Sequence, residues 1–225
     1  MAGTATISWL SGPIGNGYSF FKTIAIDKTK LGGADQTDFP LCVSGAYTYL
    51  KTTGNGGDVQ NANGYDIIFT SDSAGLTTLK FEQVRYIAST GEVVYFVKVP
   101  TASSSVNTSI YMWYGNSSIS TYQGDNANTW NANFDAVYHF PNGTVLSVAD
   151  SKSNITLTNS GATATTGKVE GAANFNGTNQ SITAGNNFAY TGDFTILLWS
   201  NATNIVSMLA KVSTGTGKAT QAPTG

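Results

Sequence analysis

An all-β fold is expected from three features of this 225-residue sequence: neutral-polar composition, short runs of alternating or β-branched residues, and repeated Asn-Gly pairs. Hydrophobic residues make up 40% and charged residues only 11%. The 31 Thr, 22 Ser, 20 Asn and 25 Gly supply nearly half the chain. That mix lacks the Ala, Glu, Lys and Leu that helical bundles and coiled coils require. The 11 Tyr, 11 Phe and 4 Trp provide too much burial for a disordered chain. Asn-Gly pairs beginning at 16, 55, 63, 142 and 176 fit turns with positive φ.

Strands are expected in the following order. Residues 22–27 (KTIAID) alternate and place Ile24 and Ile26 on one face. Residues 39–43 (FPLCV) form a short apolar run, in which the lone Cys42 is expected as a small buried hydrophobe. Residues 65–70 (YDIIFT) follow the Asn63-Gly64 turn, and 79–87 follow a Ser/Asp/Gly cluster at 71–75. Residues 93–99 (VVYFVKV) are apolar on both faces, which predicts a central strand covered on both sides and ended by Pro100. After the loop at 101–108, residues 110–114 (IYMWY) are expected to return as its partner. Residues 117–133 carry almost no aliphatics and read as a linker. Strands resume at 136–140, 155–157, 172–175, 181–184 and 194–199. From Lys211 onward the chain is a polar, Gly-rich tail. No amphipathic helix and no strict repeat is present.

Several function classes are disfavoured. Net charge is −2 with a single arginine, Arg85, so no cationic surface exists to displace counterions from nucleic acid. No apolar run approaches the roughly 20 residues that span a bilayer. The start, MAGTATISWLSG, has neither the basic nor the apolar region of a signal peptide. One cysteine excludes an intrachain disulfide and a thiolate zinc cluster. His139 is the only histidine, so any Ser-His-Asp relay must run through it; inside AVYHF it is expected as a structural residue. No G-x-S-x-G elbow occurs. The three glutamates, Glu82, Glu92 and Glu170, make no paired-carboxylate pattern, and Glu82 stands alone in KFEQV. No catalytic residues are assigned. Flat rings in turn-rich segments, Trp9, Tyr18, Tyr122 and Trp130, are the candidates for stacking on carbohydrate, whereas Trp113 and Trp199 are expected in the core.

Six ordered blocks occupy the first half: YSFFKTIAID (18–27), DFPLCVSG (38–45), NGYDIIFTSD (63–72), LKFEQV (79–84), STGEVVYFVKVP (89–100) and SIYMWYGN (109–116). With these blocks, residues 18–116 resemble the bacterial and phage family called domain of unknown function 2341. The later landmarks FDAVYHF (134–140), Asp150, TTGKVEGAANFNG (165–177) and TGDFTILLW (191–199) resemble the opening of a concanavalin-A-like, laminin-G-type sandwich. The resemblance implies two jelly-roll-like β-sandwich modules, the second incomplete because only roughly 90 residues follow Asn133. The organisation expected is an N-terminal arm at 1–17, a sandwich at 18–116, a linker at 117–133, a partial sandwich at 134–210 and a tail at 211–225. No cofactor is expected beyond Ca²⁺, which related sandwiches hold with oxygen ligands. Asp150, Asn174, Asn176 and Asp193 would be the donors here.

These readings converge on a non-enzymatic, surface-exposed structural or binding protein, a phage virion decoration or fibre component with carbohydrate adhesion. Its partners would be other chains of a virion or homo-oligomer and glycans, with no nucleic acid and no membrane insertion. The rival expectations are a bacterial cell-surface adhesin or carbohydrate-binding module, extracellular in location, and an accessory module of a polysaccharide-degrading enzyme.

Overall fold

The computed structural model describes residues 15–141, 143–188 and 190–201; Trp9, the arm before residue 15 and the tail at 211–225 lie outside them. The chain divides into two compact units, Met1–Ala189 and Tyr190–Gly225. Its described elements are antiparallel strands, a few 3₁₀ turns and one four-residue helix, so the chain is all-β.

Two three-stranded sheets build the first half. One has the order β1 (Phe20–Ile26), β6 (Thr108–Tyr114), β3 (Ile68–Thr70). The other has the order β2 (Gln36–Ala46), β5 (Glu92–Ala102), β4 (Phe81–Ile87). Their inner faces share one core in which Phe69, Ile110 and Met112 from the first sheet meet Phe81, Val93, Tyr95 and Val97 from the second. This is a β-sandwich, and side-chain alternation sets its register. On β5 the odd residues 93 to 99 point inward, opposite Val43, Leu41 and Phe39 of β2. Phe69, Phe81 and Tyr95 pack edge to face with centroids 5.2–5.9 Å apart. The buried Trp113 donates its indole N–H to Thr70 Oγ1 at 2.8 Å, which satisfies the one polar atom of that ring.

Three sequence expectations change here. Residues 110–114 pair with β1 and β3 rather than with β5, because the loop after β5 carries the chain across to the opposite sheet. Pro100 does not end β5, which runs on to Ala102. Past Lys98 only β2 flanks the strand, and Asp38, at φ +50°, drops out of the register opposite Pro100, so no central ladder is interrupted. Cys42 is exposed: in FPLCV the inward positions are Phe39, Leu41 and Val43, and strand alternation turns Cys42 outward.

The β4–β5 hairpin closes through Gly91, whose N–H reaches Ile87 O at 2.8 Å. Its φ is +68°, and a Cβ there would overlap the Tyr47 carbonyl oxygen, so the position requires glycine on both counts.

Residues 117–133 form a connector that packs against the sandwich. It contains the helix α1 (Asn126–Thr129), capped by the Asp125 side chain, which also pairs with Lys80 at 2.8 Å. Beyond it lie two small sheets, β7 (Thr158–Ser160) with β10 (Ser181–Thr183), and β8 (Thr163–Thr166) with β9 (Gly171–Asn174). The strand expected at 136–140 is irregular chain, and the one expected at 155–157 begins only at Thr158. In the second unit residues 194–199 form no strand, and Trp199, expected in the core, is 76% exposed.

Replacing Thr70 by Val keeps the shape and strips the acceptor from Trp113. The variant should lose about 1–3 kcal/mol, the cost of leaving a buried donor unpaired, read from the urea midpoint of tryptophan fluorescence.

Candidate functional site

The outer face of β5 is covered, as its two-sided apolar pattern predicts. Phe96 points away from the core, and Trp130 and His139 lie on it with centroids 4.8 and 5.3 Å away. Trp130 is delivered by α1, at whose C-terminal end it sits, and Phe134 packs edge-on against it at 5.1 Å. Beneath this layer lies the carboxylate of Glu82, on β4 and only 3% exposed.

A carboxyl group in that position needs hydrogen-bond partners, or burial would cost several kcal/mol. Three side chains supply them. Trp130 Nε1 donates to Oε2 at 2.8 Å, and Ser151 Oγ donates to Oε1 at 2.5 Å. His139 Nε2 lies 3.2 Å from Oε2. A cleft of about 280 Å³ borders the cluster and is lined by Glu82, His139, Asp150, Ser151 and Asn126 among others.

The geometry is not a nucleophile relay. In such a relay the imidazole sits between hydroxyl and carboxylate and takes the hydroxyl proton. Here the carboxylate is in the middle, Ser151 gives its hydrogen bond to Glu82 directly, and His139 faces the acid. What the cluster does is fasten residues 130–151 onto β4 through one buried acceptor. Sequence reasoning missed it because its members, Glu82, Trp130, His139 and Ser151, sit up to 69 residues apart with no local motif. The only signal was a lone acid in a strand that needs donors from elsewhere.

Asp150 closes the neighbouring turn. Its Oδ1 accepts from the Val137 and Lys152 amides at 2.8 and 3.0 Å, and its Oδ2 from Asn154 and Ile155 at 2.9 and 3.0 Å. Burial pushes this carboxyl up, but the amides of Val137, Ile155, Lys152 and Asn154 together outweigh it and hold the group below the usual range. Of the other expected calcium donors, Asn174 ends β9 and is exposed. Asn176 accepts from the Thr178 amide at 2.9 Å within its own turn. Asp193 is exposed and belongs to the second unit. Among the described residues no group of three or more His, Cys, Asp or Glu is placed to hold a metal ion.

Among the described residues the carbohydrate candidates are not gathered into one platform. Trp9 lies outside the described residues. Tyr18 and Trp130 are each only 6% exposed, so neither offers a ring face to a sugar. Tyr122 is half-buried against Phe81 and Tyr65, with centroids at 6.0 and 5.7 Å. Its hydroxyl is shared between the Gln83 amide and Asn126 Oδ1, both at 2.8 Å. The turn-rich settings of these residues promised exposure, but connectors packed on a sandwich bury their aromatics as strands do.

A scan against family models, a search of curated proteins and a search of solved structures each found no match for this chain.

Two measurements follow from this geometry. Ser151→Ala leaves one oxygen of a buried carboxylate without its donor and should lower stability by about 1–3 kcal/mol in urea unfolding. For Asp150 the folded carboxyl titrates below its unfolded counterpart, which lies near about 3.9. Its stabilisation is therefore present above that value and lost as pH falls through the folded one. Melting temperatures of wild type and Asp150→Asn should differ most at pH 6–7 and converge below about pH 4; a constant difference would contradict the assignment.

Proposed function

We propose that this chain is a non-enzymatic, surface-exposed structural and binding protein of the kind that decorates a phage virion, on its capsid or a fibre, with carbohydrate adhesion as its binding activity. The observation that carries the reading is how the reactive side chains are used. His139 and Ser151 are each bonded to Glu82 in a fastening role, and Asp66 and Asp150 are bonded to backbone amides. None is arranged to take a proton from a substrate.

Two further features support it. Residues 18–116 resemble domain of unknown function 2341, and the region after residue 133 resembles a laminin-G-type sandwich, both known from bacterial and phage surface proteins. In the second unit Phe194, Ile196, Leu197, Leu198 and Trp199 form an exposed apolar run, with Leu197 92% exposed. Covering such surface gains about 25 cal/mol per Å², so the run favours a place beside further polypeptide, as in an assembly. Calcium has no necessary part in this reading, since the Asp150 oxygens already receive four amides.

Two assays test the proposal together: a glycan array probed with the purified chain, and antibody labelling of intact particles and cells from the source culture. Retention of at least one glycan with label on particle surfaces is the expected outcome. No retained glycan together with label confined to cell interiors would overturn it. Adding Ca²⁺ should leave the melting temperature unchanged; a rise of several degrees would restore the calcium expectation.

A further inference from the structure

Five Asn-Gly pairs punctuate the chain, and four of them, beginning at 16, 55, 63 and 176, lie among the described residues. In such a pair the backbone nitrogen of the glycine can attack the side-chain carboxamide of the asparagine, because glycine has no Cβ to hinder the approach. The local chemistry is the same in all four. What separates them is how the fold has engaged the attacking N–H and the carboxamide.

Three pairs are held. The Gly56 N–H donates to Thr53 O at 3.2 Å, and Asn55 Nδ2 donates to the buried Thr52 at 2.6 Å. Gly64 is buried against the Tyr86 ring, and its N–H donates to Asn61 O at 2.9 Å. Asn16 spends both ends of its carboxamide, Oδ1 on the Tyr18 amide at 3.1 Å and Nδ2 on Gly75 O at 3.4 Å, a residue 59 positions away. Attack at any of these sites must first break bonds that hold the first sandwich together, and each such loss is costly.

Asn176 differs in three respects. Both it and Gly177 are exposed, and beyond the chain neighbours no atom lies within 4 Å of where a Cβ on Gly177 would stand. The Gly177 N–H makes no hydrogen bond among the described residues, so the nucleophile is not engaged. Asn176 Oδ1 accepts from the Thr178 amide at 2.9 Å and from the Asn179 amide at 3.4 Å. Those two N–H groups point at the oxygen on which negative charge develops when the carboxamide is attacked, the arrangement that stabilises the oxyanion in acyl transfer. All the partners of Asn176 belong to its own loop at 176–180, which moves with it.

We infer that Asn176 is a site of self-modification, at which the folded chain converts through a succinimide to aspartate and isoaspartate ahead of the other three pairs. The Gly177 N–H gives its proton to hydroxide, its nitrogen bonds to Asn176 Cγ, and the Cγ–Nδ2 bond breaks. The departing amine takes a proton from water and leaves as ammonia. Water then adds across one of the two imide C–N bonds, giving aspartate or isoaspartate according to which bond opens. The product carries one more negative charge. Where Nδ2 donated to Asn179 Oδ1 at 3.2 Å, a carboxylate oxygen then faces that acceptor, which loosens the turn between β9 and β10.

The test incubates the intact chain in warm, mildly alkaline buffer and follows each pair by peptide mapping with mass spectrometry. The peptide holding Asn176 should convert at least tenfold faster than those holding Asn16, Asn55 and Asn63, with an isoaspartate form beside the aspartate one. The same incubation in concentrated urea should bring the four rates within about threefold of one another, since the fold no longer distinguishes them. Hydroxylamine, which cleaves a chain at a succinimide, should cut the folded protein between residues 176 and 177 ahead of the other three pairs. Faster conversion at any of those three in the folded chain overturns the inference. So does an equal preference for Asn176 in urea, because the selection would then lie in the flanking residues and not in the structure.

Discussion

Burying a carboxylate obliges a chain to surround it with donors, and much of this molecule is arranged around that obligation. Asp66 is fully buried and accepts the amides of Gln60, Asn61, Gly115 and Asn116 at 2.8–3.2 Å. One acid thereby ties the loop before β3 to the end of β6. Glu82 does the same at longer range, drawing Trp130, His139 and Ser151 onto the outside of β4 and β5. With few charges in the chain, each buried one carries a large share of the long-range specificity. Removing a partner costs more than the pair contributes, because the remaining charge is left desolvated.

The two-layer sandwich explains where these acids sit. Its inner faces are filled by aliphatic and aromatic side chains and hold one core. The outer face of β5 is apolar as well, and water would meet Val94 and Phe96 if nothing covered them. The connector and the irregular segment after it provide that cover, and Glu82 anchors it from the adjacent strand. A cleft remains where the cover ends, but its polar groups face one another.

Much of the first sandwich was legible in the sequence. Period-two alternation and β-branched residues marked β1, β4, β5 and β6, and the two-sided pattern of VVYFVKV foretold that both faces of β5 are covered. Which strand pairs with which was not legible, because IYMWY suits either sheet and only the crossing loop decides. Cys42 was misread because its apolar neighbours were taken as a run where alternation governs. Beyond residue 133 the strands are three or four residues long, and Ser/Thr-rich segments give a weak period. Of the Glu82 cluster only the lone acid was legible, since its donors come from loops whose positions depend on the finished fold.

The central claim is that Glu82 fastens the segment after residue 129 to the first sandwich. Hydrogen–deuterium exchange of Glu82→Ala against wild type tests it most directly. Protection should fall across residues 130–155 and stay near its wild-type level in β1, β3 and β6. Unchanged protection in 130–155, or a uniform loss through both sheets, would contradict it.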